Sequence, residues 1–151
     1  MTGFTNFATK YAWVLIFLVG LAMAAFAYDN VIVIPGLDPA DPERGWAWLT
    51  RDPDVIDYIK FWFRIFGLWV LAVAVFVMTI AATGFRRGER WAWYSLLYLP
   101  VHVVLHIFIW PWTTPILLVL MLMILAGLLL PLRLFFPGPG EAEYLGLNRP
   151  G

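Results

Sequence analysis

Four long apolar runs constrain the fold of this chain more than any other feature of its sequence. Each run is close to the roughly 20 residues that an α-helix needs to cross the hydrocarbon core of a bilayer. They cover residues 11–28, 61–83, 91–110 and 115–132. Backbone groups in lipid must form hydrogen bonds within their own segment, and the runs lack the alternation of polar and apolar residues that a barrel strand has. We therefore predict an all-α polytopic membrane protein, with four transmembrane helices in an antiparallel bundle within residues 1–136.

Composition supports the assignment to a membrane. Hydrophobic residues make up 62% of the 151 residues and charged residues 13%, whereas about a quarter of a soluble domain is charged. The polar remainder is too small to cover a soluble surface around such runs. The absence of cysteine excludes disulfides, thiolate metal sites and cysteine nucleophiles. Basic residues are few, so we expect no nucleic-acid partner.

The positions of lysine and arginine predict the orientation of the helices. In membrane proteins these residues are enriched in short cytoplasmic connections. Here they flank the predicted helices at Lys10, Arg86, Arg87, Arg90 and Arg133. We therefore place both termini in the cytoplasm, with a cytoplasmic tail at 137–151, and expect an integral protein of the bacterial inner membrane. We also expect Arg86, Arg87 and Arg90 to contact anionic lipid headgroups.

Residues 29–60 are predicted to form a loop on the outer side, where their seven acidic residues are tolerated. The fragment Asp52-x-Asp54-x-x-Asp57 is similar to part of a calcium loop, but the EF-hand ligand order and its glycine are absent. The preceding apolar run also fits a signal peptide cleaved before Tyr28. We favour a retained helix because the run is long for a signal peptide.

Three strongly polar side chains fall well inside the predicted spans: Arg64, His102 and His106. Such residues are costly in lipid and mark either a functional site or a buried structural pair. The two histidines are four residues apart, so both imidazoles lie on one helix face, and Tyr98 continues that face by one turn. Pro100 predicts an interruption of the same helix.

The histidine pair permits two interpretations. In one, His102 and His106, together with Tyr98, bind a transition metal, a haem or another pigment, since imidazole suits zinc, copper and iron. A metal would need a further ligand, for which Asp29 or Asp57 is the candidate, and a bis-histidine haem would need a histidine from a partner. In the other interpretation, the imidazoles form hydrogen bonds between helices.

Arg64 also permits two interpretations. Its long side chain can reach the outer headgroups or Asp57. Alternatively, it faces inward at the depth of His106 and forms a pocket for a lipid phosphate or another anion. One turn further on, Gly67 would allow a neighbouring helix to approach closely. Trp69 lies deeper in its span than the aromatic belts that the other tryptophans form at the membrane boundaries.

Two short motifs carry a family resemblance. They are Arg-x-x-Gly from Arg64 to Gly67 in the second helix, and Arg-x-Gly-x-Arg-Trp-Ala-Trp-Tyr from Arg86 to Tyr94 at the start of the third. The arrangement resembles uncharacterised small four-helix bacterial integral membrane proteins, including those similar to DoxX. This resemblance covers the helical part of the chain and implies fold and membrane placement, with no catalytic residue to carry over.

Three hypotheses for function follow from these features. The first is a non-catalytic membrane subunit or interaction protein, whose aromatic-rich helices pack against partner helices, pigments or lipids, or against further copies of the chain. The second is a redox or transport component that binds a metal or cofactor through His102 and His106. The third is a membrane enzyme acting on a lipid-like substrate, with a histidine as acid or base near Arg64. The sequence contains no complete catalytic motif, which favours the first hypothesis.

Overall fold

A computed structural model describes residues 3–38, 49–109 and 114–137 of the chain. These residues are predominantly helical and include no strand. In chain order the α-helices are α1 (Gly3–Tyr28), α2 (Ile34–Gly36), α3 (Pro53–Ile80), α4 (Arg90–Leu96), α5 (Tyr98–Ile109), α6 (Thr114–Leu129) and α7 (Leu132–Phe135). Two π-helical turns, Asp29–Val33 and Ala81–Phe85, follow α1 and α3 directly.

Three helical stretches are long and apolar enough to cross a membrane: Lys10–Gly36, Pro53–Phe85 and Arg90–Ile109. The described chain therefore has the architecture of an all-helical membrane protein, as its sequence predicts. The fourth apolar run forms α6, whose 16 residues extend over about 24 Å, less than the roughly 30 Å of a hydrocarbon core. This helix ends before the predicted residue 132, because Pro131 has no N–H with which to continue it.

Helical structure extends into the predicted outer loop from the α1 side. The chain continues through the turn Asp29–Val33 and α2 to Gly36. Asn30 is 2% exposed there, and its Nδ2 donates a hydrogen bond to the carbonyl O of Phe26 at 2.8 Å. A polar side chain that bonds to its own helix in this way does not end the helix. The predicted loop 29–60 therefore begins too early, because the chain is helical as far as Gly36.

The same loop is too long at its end, because α3 begins at Pro53 and not at the predicted residue 61. The backbone N–H of Asp54 donates to Oδ1 of Asp52 at 3.0 Å. Asp52 thus caps the helix, with proline at the first helical position and a carboxylate in the first turn. The acidic fragment that is similar to a calcium loop has a structural role as a helix start.

The chain divides into two compact units. They are Gly20–Phe76, and Met1–Val19 together with Val77–Gly151. In the unit Gly20–Phe76, a Cβ added at Gly67 would be 2.6 Å from Cγ2 of Val31 and 2.9 Å from the carbonyl O of Ala27. The predicted close approach of a neighbouring helix at Gly67 is confirmed.

In the other unit, the segments α4–α5 and α6–α7 run antiparallel. Nε1 of Trp93, near the start of α4, donates to the carbonyl O of Leu128 near the end of α6 at 3.0 Å. Nε of Arg90 donates to the carbonyl O of Phe135 in α7, also at 3.0 Å. Helices α5 and α6 contact each other as well. The third and fourth apolar runs therefore form an antiparallel hairpin.

A tight turn precedes α4 and contacts the end of this hairpin. Gly88 has a φ of 72°, in the left-handed region that favours glycine. Just before the turn, the ring of Phe85 packs on the ring of Phe135 with centroids 4.7 Å apart, and both side chains are buried. The turn and α7 are thus joined by apolar packing.

Candidate functional site

The polar residues predicted on the third apolar run form a continuous ladder on α5. Oη of Tyr98 lies 3.0 Å from Nδ1 of His102, within hydrogen-bond distance. The ring centroids are 5.4 Å apart between Tyr98 and His102, and 5.9 Å apart between His102 and His106. We call these three residues the histidine stripe.

The exposure of the histidine stripe follows from helix geometry. Residues four apart are displaced by about 40° around a helix of 3.6 residues per turn. The stripe therefore winds from the outside of α5 towards its packed side, which carries Leu99 and Val103. Tyr98 is 52% exposed, whereas His102 and His106 are half-buried.

The helix that carries the stripe is interrupted just before it. Helix α4 ends at Leu96, and the N–H of Leu97 donates to the carbonyl O of Tyr94 at 3.2 Å, three residues back instead of four. Pro100 has no N–H to offer the carbonyl of Leu96. The interruption predicted from Pro100 is present in the structure, and Tyr98 is the first residue of the helix that follows.

The described residues contain no complete set of ligands for a metal ion. Among residues 3–38, 49–109 and 114–137, no three histidine, aspartate or glutamate side chains form a group that would hold a metal ion. Asp29 and Asp57, the further ligands that the sequence allows, belong to the unit Gly20–Phe76, and their contribution to a metal site stays a prediction. His102 and His106 offer two imidazole ligands from one helix face.

Arg64 belongs to the unit Gly20–Phe76 and is exposed on α3. Within the described residues its guanidinium makes no hydrogen bond or ion pair. An exposed arginine with a long apolar stem can place its charge among headgroups. A role for Arg64 in binding lipid phosphate or another anion stays a prediction.

The three arginines predicted to contact lipid differ in their surroundings. The guanidinium of Arg86 lies over the ring of Trp13 at 5.1 Å. Arg87 forms a 3.9 Å ion pair with Glu89, and its side chain is 74% exposed. Arg90 bonds to the backbone of α7, as described above, and also lies over the ring of Phe136 at 5.6 Å. Arg90 is therefore a structural link, and Arg87 is the most available of the three for a headgroup.

Sequence reasoning missed a second surface, which we call the aromatic stripe: Trp62, Trp69 and Phe76 on α3. The three residues recur every seven positions, and all are exposed. Trp69 is 71% exposed, and its indole N–H has no acceptor in the part of the chain that the structure describes. The seven-residue spacing was the available signal, since it places side chains on one helix face.

Comparisons with protein-family models, with curated proteins and with solved structures find no match for this chain. The resemblance to small DoxX-like membrane proteins therefore stays a prediction.

Proposed function

We propose that this chain is a non-catalytic integral membrane subunit, whose helices pack against other membrane helices and lipids within a larger assembly. The observation that carries the proposal is the position of Trp69. It is the middle residue of the helical stretch Pro53–Phe85, with about 24 Å of helix on either side. An exposed indole therefore lies deep within the hydrophobic part of a membrane helix.

Lipid chains cover apolar surface but accept no hydrogen bonds. Tryptophan is normally found at the membrane boundary, where its N–H reaches headgroups or water. An N–H without an acceptor in hydrocarbon costs a few kcal/mol, on the order of the penalty for any buried unpaired amide. A neighbouring membrane helix can supply both an acceptor and a packed surface for the ring.

The residues around Trp69 support a helix as the partner. Trp62 and Phe76 extend the surface by seven residues in each direction, which is the period of left-handed packing between two helices. Ala72 is exposed between Trp69 and Phe76, which leaves room for a large side chain of a partner. Alternation of large and small residues is what interlocking helix surfaces require.

The proposal includes four membrane helices, with α6 as the shortest, and both termini in the cytoplasm of a bacterial cell. The antiparallel hairpin of α4–α5 and α6–α7 supports two crossings for this part of the chain. Local thinning of the bilayer accommodates a short helix at modest cost. Arg86, Arg87 and Arg133, which are all exposed, support a cytoplasmic location for the end of the hairpin that carries them.

Photo-crosslinking in intact membranes tests the proposal. A photoreactive phenylalanine derivative replaces Trp69, and in a matched control it replaces Leu122, which is 67% exposed near the middle of α6. We expect position 69 to yield one defined protein adduct and position 122 to yield lipid adducts. If position 69 yields only lipid adducts, the aromatic stripe faces lipid and the proposal is wrong.

A further inference from the structure

We propose that two copies of this chain pair through α5 and bind one divalent transition-metal ion between them, held by His102 and His106 of each copy. The inference goes beyond the proposed function, because it concerns the histidine stripe and not the aromatic stripe of α3. Zinc is the best fit, since it takes four nitrogen or sulfur ligands in a tetrahedral arrangement and accepts neutral imidazole.

The surface around the histidine stripe is open. Tyr98, Val101 and Leu105 are all exposed along α5. Oη of Tyr98 and Nδ1 of His102 lie within hydrogen-bond distance of each other, so the ring nitrogen of His102 on the other side, Nε2, is the one a ligand would use. Lipid chains offer no ligand for this nitrogen, whereas a metal ion does. Val101 and Leu105 supply apolar contact area around it.

The ligand count points to a second copy of the chain. The sequence contains two histidines, both in the stripe, and no third ligand joins them within the described residues. A two-fold axis places the same patch of both copies face to face. Two ligands per chain then become four, which completes a tetrahedral site without any further residue.

The spacing within the pair suits chelation. His102 and His106 are one helical turn apart, and their ring centroids are separated by 5.9 Å. Two imidazoles at this spacing on one face can turn a nitrogen each towards a single ion, as the i, i+4 histidines of helical zinc sites do. Small rotations of the two rings are sufficient, because both side chains are only half-buried.

Tyr98 acts as a positioning residue for His102. Its Oη lies 3.0 Å from Nδ1. When the proton of the imidazole is on Nδ1, this nitrogen donates to the phenol oxygen, and the lone pair of Nε2 is available to a metal. A hydrogen bond to the second ring nitrogen is the usual way in which a metal-binding histidine is held in one tautomer and orientation.

The location of the site limits the cost of placing a charged ion in a membrane helix. His106 is three residues before Ile109, the end of α5, which is a distance of about 4–5 Å along the axis. Charges are much less costly near the ends of a membrane helix than at its centre. A divalent ion held by neutral imidazoles is therefore compatible with this depth.

Metal titration tests the inference on the full chain, purified with a tag that contains no histidine and depleted of metal with a chelator. We expect Zn²⁺ to bind at one ion per two chains and to convert monomers into dimers, as measured by light scattering in mild detergent. Co²⁺ is expected to give the intense visible absorption of a tetrahedral complex. Zn²⁺ content is measured by elemental analysis after removal of unbound metal.

Substitutions distinguish the proposed metal ligands, His102 and His106, from the tyrosines near them. His102→Ala and His106→Ala should each abolish Co²⁺ absorption and Zn²⁺-dependent dimers, with helical circular dichroism as the check that the variants fold. Tyr98→Phe should retain the stoichiometry and weaken Zn²⁺ binding by about 10- to 100-fold, as the loss of an orienting hydrogen bond does. Tyr94→Phe, one turn earlier and similarly exposed, is the matched control and should bind Zn²⁺ as the wild type does.

Three results of the titration would overturn the inference. They are no Zn²⁺ bound above the level of the His102→Ala/His106→Ala variant, one ion per chain without dimers, and dimers that are indifferent to both the chelator and the histidine substitutions. A visible spectrum of haem or another pigment in the purified chain would assign the stripe to that group and also reject the metal site. None of these results bears on the cross-link expected at position 69.

Discussion

Alanine at Gly67 should weaken the packing of α3 against the end of α1. The added methyl group would lie 2.6 Å from Cγ2 of Val31 and 2.9 Å from the carbonyl O of Ala27. Ordinary contacts between carbon atoms are about 3.5–4.0 Å, so both neighbours would have to move. Ala27 contributes a backbone atom of a helix, and Val31 is β-branched and stiff, so neither moves easily.

The change in the free energy of unfolding caused by Gly67→Ala is a balance of two effects. Overpacking in a packed interior costs about 1–3 kcal/mol. Replacing glycine by alanine inside a helix recovers about 0.5–1 kcal/mol through the lower entropy of the unfolded chain. We therefore expect Gly67→Ala to lower the free energy of unfolding by about 0.5–2 kcal/mol.

Gly36 at the end of α2 provides the control, since no atom lies within 4 Å of a methyl group added there. The contact cost is then absent, and only the gain in helix propensity remains. We expect Gly36→Ala to leave the free energy of unfolding unchanged or to raise it by up to about 1 kcal/mol.

Unfolding in mixed micelles with increasing denaturing detergent, followed by circular dichroism, measures both variants. The double variant Gly67→Ala/Val31→Ala should recover part of the loss, because it removes the closest clash. The reasoning is refuted if Gly67→Ala is at least as stable as the wild type, or if Gly36→Ala is the more damaging of the two.

Three further predictions use the same unfolding assay. Asp52→Ala should cost about 1 kcal/mol and speed hydrogen exchange at the start of α3, whereas Asp52→Asn, which can still cap, should not. Arg90→Lys should cost about 1 kcal/mol by losing the Nε bond to the carbonyl of Phe135, and unchanged stability would reject its role as a link. Trp93→Phe should cost about 1 kcal/mol by removing the donor to the carbonyl of Leu128; no loss would show that water or another donor replaces it.

The apolar runs predicted the positions of three membrane-length helices, because hydropathy reports which residues tolerate lipid. It does not report where a helix ends. The prediction missed the helical residues 29–36 after α1 and the polar first turns of α3, although the cap Asp52 followed by Pro53 is a helix-start signal in the sequence itself. The early end of α6 was missed for a related reason, since Pro131 stops the helix inside an apolar run.

The histidine stripe was predictable from spacing alone, because residues four apart on a helix must share a face. Its exposure was not, since this depends on which face of α5 packs against α6. The role of Arg90 was also beyond the sequence. A positive charge near a membrane boundary predicts topology, and nothing in the chain signals that its guanidinium bonds to a carbonyl 45 residues away.

Trp69 and His102 differ in polarity from the apolar residues that are exposed on other helix faces. Phe108 and Leu122 are exposed on α5 and α6, and lipid chains satisfy them completely. The indole N–H of Trp69 and Nε2 of His102, whose Nδ1 faces Tyr98, are hydrogen-bonding groups that lipid chains cannot satisfy. Exposure of apolar area alone therefore identifies no partner in a membrane protein, whereas an exposed donor or acceptor at hydrocarbon depth does. On the two proposals above, the aromatic stripe would meet a hydrogen-bond acceptor and the histidine stripe a metal ion, so the two surfaces are expected to bind different partners.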